Sequence, residues 1–167
     1  MSDFVNTVDV LGGDDAMTDA LIQRTLTELW DNRITRLRSR ALAGCTTLTE
    51  VNVPNVTYIN QYAFYGCTAL TMLDTNSVTF IGSMAFYYCD ALTALILRGD
   101  TVCSLESTLA LSYSSIEKGT GYIYIKRALV DSYKAATNWS TFSAQIRALE
   151  DYTVDGTTTG ELDETKI

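Results

Sequence analysis

Histidine is absent from the 167 residues. Without imidazole there is no Ser–His or Cys–His nucleophile pair, no His-ligated zinc and no His-based pH switch. Positive charge is scarce: 12 Lys and Arg stand against 20 Asp and Glu, a net charge of −8. A nucleic-acid binder needs a basic stripe against phosphate, so that class is set aside. No run of about 18 apolar residues occurs, and no membrane span is expected. The start, Met1-Ser2-Asp3-Phe4-Val5, has neither the cationic nor the apolar part of a secretory signal, so export by that route is not expected.

Catalytic motifs are missing too. Neither Gly-x-Ser-x-Gly nor Ser-x-x-Lys with supporting context is found. Gly12-Gly13-Asp14-Asp15 lacks the Gly-Lys-Ser/Thr that completes a phosphate loop. A glycosidase needs two carboxylates at a set separation. With 20 acidic residues some pair qualifies by accident, so Asp74 and Asp90 are not nominated. The expectation is a protein that is not an enzyme and holds neither metal nor cofactor. Arg98-Gly99-Asp100 matches an integrin-type tripeptide that is short enough to arise by chance. Asn55-Val56-Thr57 and Asn138-Trp139-Ser140 fit the glycosylation sequon, which carries no weight without an export signal.

What is present is a core. Hydrophobic residues make up 47% and charged residues 19%, a balance that folds rather than stays disordered. The length suits one domain, or a small one with appendages. Cys45, Cys67 and Cys89 fall at intervals of 22, with Cys103 beyond them. Thiols recurring at one period read as a single repeated core position, where free cysteine acts as a small hydrophobe. Disulfides are the alternative. Zinc is not, because no Cys-x-x-Cys occurs.

A period of 22 signals repeat architecture. Residues 37–53, 59–75 and 81–97 overlay without gaps, and their columns are uniform where a core demands it. One column holds Leu37, Ile59 and Ile81. Ala41, Ala63 and Ala85 precede Leu42, Phe64 and Phe86. The cysteines follow, then Leu48, Leu70 and Leu92, then Val51, Leu73 and Leu95. Stacking sets each column on itself and builds a continuous core that one repeat alone could not bury. Thr49 to Val53, Thr71 to Thr75 and Thr93 to Leu97 alternate as short strands do. The Ala-Phe-x-x-Cys portion then forms the opposite wall as a helical turn or irregular loop. One face of the stacked parallel strands should meet solvent, with Glu50, Met72 and Ala94 in one row and Asn52, Asp74 and Ile96 in the next.

The pattern Ile-x-x-x-Ala-Phe-x-x-Cys-x-x-Leu-Thr-x-Leu-x-Leu resembles the BspA-like leucine-rich repeats of bacterial surface and phage proteins, over residues 34 to about 105. The first copy has Leu42 in place of the usual aromatic, and its Arg36, Arg38 and Arg40 are atypical. The resemblance implies a short α+β repeat solenoid of stacked parallel strands, with a helical amino-terminal cap and a strand–helix–helix carboxy-terminal cap.

Residues 14–30 carry Met17, Leu21, Ile22, Leu26, Leu29 and Trp30 at spacings of three and four. That predicts an amphipathic helix with an acidic first turn. It either covers the first repeat or docks on a partner subunit through Met17, Leu21, Ile22 and Trp30. Tyr122 to Ile125 is a β-rich run, followed by a helix from Arg127 to Ala136 and a second short helix on Trp139, Phe142, Ile146 and Leu149. This segment resembles the cap common after such repeats, with Lys126 where those caps often carry proline. The expected division is a docking segment over 1–33, the solenoid over 34–150 with its cap from about 106, and an acidic tail over 151–167 of disorder-type composition.

Ten tyrosines are present. Tyr65 and Tyr87 share one slot of the repeat, with Tyr62 and Tyr88 nearby. Stacked tyrosines suit sugar or protein recognition, or else they seal the wall and keep their hydroxyls wet. The candidate contact surface is Tyr62, Tyr65, Tyr87, Tyr88, Met72, Asp74 and Ile96. The resemblance implies a non-enzymatic phage virion protein, a tail or head fibre or decoration component assembled in the host cytoplasm. Its partners would be other virion subunits, a second copy of itself, or a bacterial surface glycan or protein. A bacterial cell-surface adhesin is the alternative.

Overall fold

The computed structural model of the chain describes residues 27–154 and 159–162. Longer strands alternate with two-residue ones: β1 (Glu28–Trp30), β2 (Arg36–Leu37), β3 (Glu50–Asn52), β4 (Tyr58–Ile59), β5 (Met72–Thr75), β6 (Phe80–Ile81), β7 (Ala94–Leu97), β8 (Ser104–Leu105) and β9 (Tyr122–Ile125). Helix α1 (Val130–Ala135) follows, then β10 (Ile146–Ala148), β11 (Tyr152–Val154) and β12 (Thr159–Leu162).

Each repeat contributes one strand to each of two parallel sheets. The larger runs β1-β3-β5-β7-β9-β10 and the smaller β2-β4-β6-β8. Register follows the columns. Leu29, Val51, Leu73, Leu95, Ile123 and Ile146 form one inward row, and Leu37, Ile59, Ile81 and Leu105 face them from the smaller sheet. All of these are buried. Between the rows lie Phe64 and Phe86 with the four cysteines, all unpaired and buried. The Cys67 thiol donates to the Leu42 carbonyl at 3.1 Å and that of Cys89 to Phe64 at 3.2 Å.

The Ala-Phe-x-x-Cys portion is a run of turns stacked by backbone bonds. Leu42 donates to the Ala63 carbonyl, Phe64 to Ala85 and Phe86 to Ala110, each at 2.8 Å. Threonine hydroxyls add two ladders. Thr49, Thr71 and Thr93 each donate to the carbonyl of the threonine 22 residues earlier, and Thr57 and Thr79 do the same. The polar backbone edge of each turn is thereby partnered.

Four expectations change. Glu28–Trp30 is a strand paired in parallel with β3, where helical spacing predicted the end of a helix. Leu29 sits 22 residues before Val51, so the repeat begins earlier than residue 34, and its ladder partner outweighs local periodicity. Trp30 is 52% exposed on that strand, whereas Met17, Leu21 and Ile22 lie outside the described residues. Secondly, the column Leu37, Ile59 and Ile81 forms a second sheet, which the sequence did not mark as strand because two residues show no alternation.

Thirdly, the second carboxy-terminal helix stops early. Trp139–Gln145 is a kinked 3-10 segment, and Ile146–Ala148 is a strand on β9, whose edge would otherwise leave ladder groups unpaired. The last change concerns the outer face of the larger sheet. Its rows are as expected, yet Ala94 and Ile96 are fully buried, because Tyr122, Tyr124, Leu149 and Tyr152 pack with them. Within the stretch read as an acidic tail, β11 and β12 pair antiparallel with a register shift after Thr153.

Candidate functional site: a tyrosine face

In the first three copies the turn between a short strand and the next long one crosses left-handed backbone twice. Arg40, Tyr62 and Met84 occupy the first crossing with φ of 62, 60 and 55°. Gly44 and Gly66 occupy the second, at 77 and 72°, and there the third copy has Tyr88, at 60°. A side chain in this region costs about 1–2 kcal/mol because Cβ crowds the following carbonyl, a cost glycine escapes. The crossings turn side chains out of the wall. The result is a row of tyrosines.

Tyr65 and Tyr87 stack 2° from parallel with centroids 5.5 Å apart. Tyr62 leans on Tyr65 at 5.8 Å. Tyr88 meets Tyr87 edge-on at 4.7 Å, and a fifth ring, Tyr113, stacks on Tyr88 at 4.7 Å and abuts Tyr87 at 5.1 Å. Tyr88 is 41% and Tyr113 47% exposed. The Tyr87 hydroxyl is held above the ordinary tyrosine pKa, first by desolvation and then by the neighbouring Tyr113. At the open end the Arg40 guanidinium lies 4.8 Å over the Tyr62 ring. A groove of about 300 Å³ is lined by Arg40, Ala43, Tyr62, Tyr65, Met84 and Tyr87.

Tyr113 escaped the sequence reading because the fourth copy is longer. Its Ala110-Leu111-Ser112-Tyr113-Ser114 matches Ala85-Phe86-Tyr87-Tyr88-Cys89 at an offset of 25 rather than 22. Backbone bonds from Phe86 to Ala110 and from Tyr88 to Ser112 confirm that register. Leu111 therefore takes the core position, and Leu109 is 42% exposed.

The other candidate contact residues lie elsewhere. Met72, Asp74 and Ile96 belong to the larger sheet and do not line the groove. Met72 is half-buried, Ile96 is buried, and Asp74 accepts two bonds of 2.7 Å from the Arg98 guanidinium. That pair also occupies the arginine of Arg98-Gly99-Asp100, whose aspartate takes Lys126. Hydrogen bonding to Asp74 raises the Arg98 pKa, and bonding to Lys126 lowers that of Asp100.

A Ser-x-x-Lys spacing at Ser115 and Lys118 is likewise committed. Ser115 donates to the Asp90 carbonyl and Lys118 to the Asp90 carboxylate. Among the described residues no group of three His, Cys, Asp or Glu is placed to hold a metal ion, and no helix is long and apolar enough to cross a membrane. The face offers stacking surfaces, hydroxyls and one guanidinium: the means of contact.

No curated protein matches the chain. The family model described as the BspA type leucine-rich repeat region, in 6 copies, matches residues 24–126, a span that opens ahead of β1 and closes just after β9. With the same columns stacked in its two ladders, the chain belongs to the BspA-type leucine-rich repeat family.

Proposed function

We propose that the chain is a non-enzymatic contact module of a phage particle, a tail or head fibre or decoration component that presents its tyrosine face to a host-surface molecule. The observation that carries the contact role is the set of five tyrosines, Tyr62, Tyr65, Tyr87, Tyr88 and Tyr113, held in one face by the register of a stacked core. Rigid aromatic rings supply contact area at low entropic cost, and repeat families of this build work through such surfaces. The virion setting rests on the likeness of a short solenoid with this carboxy-terminal segment to repeat-bearing phage proteins.

Immunogold labelling of purified particles with an antibody to the chain tests the setting; label on tail or head is the expected result. Label confined to bacterial cell walls would instead establish the adhesin reading, which the family's occurrence in bacterial surface proteins favours. The contact role is tested by binding of the purified chain to host cells, which Tyr65→Ala with Tyr87→Ala should abolish.

A further inference from the structure

We propose that the tyrosine face binds an acidic polysaccharide, with one sugar ring in the groove against Tyr65 and Tyr87 and its carboxylate or phosphate on the Arg40 guanidinium. This rests on the contact-module reading and names the chemistry of what is contacted.

Backbone strain is concentrated on this face. Six residues other than glycine have positive φ among those described, and five of them, Arg40, Tyr62, Met84, Tyr88 and Tyr113, belong to it. Tyr88 stands in the glycine column of Gly44 and Gly66, and Tyr113 follows it one copy on. Both are exposed, so packing of the core does not require them. Strain retained where a glycine would relieve it points to a role outside the fold.

Ring geometry selects the class of partner. The aromatic rings lining the groove give a single sugar ring an apolar surface to pack on, and phenolic hydroxyls meet its hydroxyls. The groove lies at the small end of the range for ligand sites. A stable protein partner needs about 800 Å² per side around an apolar centre, and Leu109 is the one large aliphatic side chain strongly exposed among the described residues.

Charge selects the anion. Arg33 is taken by Asp31, but from Ile34 to Thr49 the chain holds Arg36, Arg38 and Arg40 and no acid, although its net charge is −8. Two carboxylates near the face are turned to its own scaffold: Glu106 to Gln61 and the Ser83 N–H, Glu117 to Ser112 and the Tyr113 N–H. A guanidinium fork holds carboxylate or phosphate oxygens in pairs.

The test is calorimetric titration of the full chain with three probes: an oligouronate, its carboxyl-reduced neutral counterpart, and a poly(glycerol phosphate). Binding of either anionic probe is expected, and which one binds identifies the source of the anion. Arg40→Gln should weaken it about tenfold and leave the thermal midpoint in place. Tyr88→Gly with Tyr113→Gly should weaken it about tenfold while the midpoint stays or rises, which a purely structural role for these rings would not produce. Failure of both anionic probes to bind, equal binding of the neutral oligomer, or full affinity in Arg40→Gln overturns the proposal. Particle label and host-cell binding without polysaccharide binding would overturn this inference alone. Polysaccharide binding without either would overturn only the setting.

Discussion

The rings of Phe64 and Phe86, twenty-two residues apart, lie 8° from parallel with centroids 5.2 Å apart and no exposed surface. Each is the same core position of successive copies, so each is the other's packing partner. Phe86→Ala leaves a cavity between Phe64 and the next copy and should cost about 3–5 kcal/mol. Urea denaturation followed by tryptophan fluorescence checks it: the midpoint falls while the slope is kept.

Gly82 and Gly99 should respond oppositely to alanine. A Cβ on Gly82 would sit 2.5 Å from the Gln61 nitrogen and 2.7 Å from the Asn60 carbonyl carbon, both backbone atoms of the preceding copy that cannot step aside. At Gly99 the nearest atom is the Thr101 carbonyl oxygen at 3.7 Å. Gly82→Ala should therefore lower the thermal midpoint by several degrees, whereas Gly99→Ala should leave it unchanged or raise it slightly through the unfolded chain.

The Cys103 peptide is held at both ends. Its N–H donates to the Tyr133 hydroxyl at 2.8 Å, and its carbonyl accepts from the Trp139 indole at 2.6 Å. Tyr133→Phe keeps the ring and orphans a buried N–H, at a cost of about 1–3 kcal/mol. Hydrogen exchange at Cys103 should accelerate with it, while exchange in β5 keeps pace only with the global loss.

Burial pushes the Cys89 and Cys103 thiols up to about 12, and Cys67 is raised by the neighbouring Cys45 thiol and by its burial. A raised thiol pKa stabilises the fold fully below the range where unfolded thiols ionise, and that contribution drains away as pH climbs from there toward 12. Stability should fall across that alkaline window. At neutral pH a disulfide reagent should react with none of the four thiols until urea unfolds the chain.

The solenoid was legible because stacking writes itself into the chain as columns. The rows Glu50–Met72–Ala94 and Asn52–Asp74–Ile96 follow from the period alone, and they pair in that register. Tyr65 and Tyr87 were legible for the same reason, and Tyr62 and Tyr88 from their nearness to that slot. Tyr113 was not, since the extra residues in the fourth copy shift its offset to 25. Nor was β1, whose Leu29 fits a helical stripe and the 22-residue column alike.

The periodicity of apolar side chains thus determined the stacked core, its long strands and the buried thiols, because only like on like fills such a core. Tertiary structure decided the rest: which strand edge β10 covers, that Tyr124 and Tyr152 bury Ile96, and that the turns gather five tyrosines on one face. Those outcomes depend on contacts between segments with no shared period, and a backbone free to be strained at Tyr88 is visible only once its neighbours hold it there.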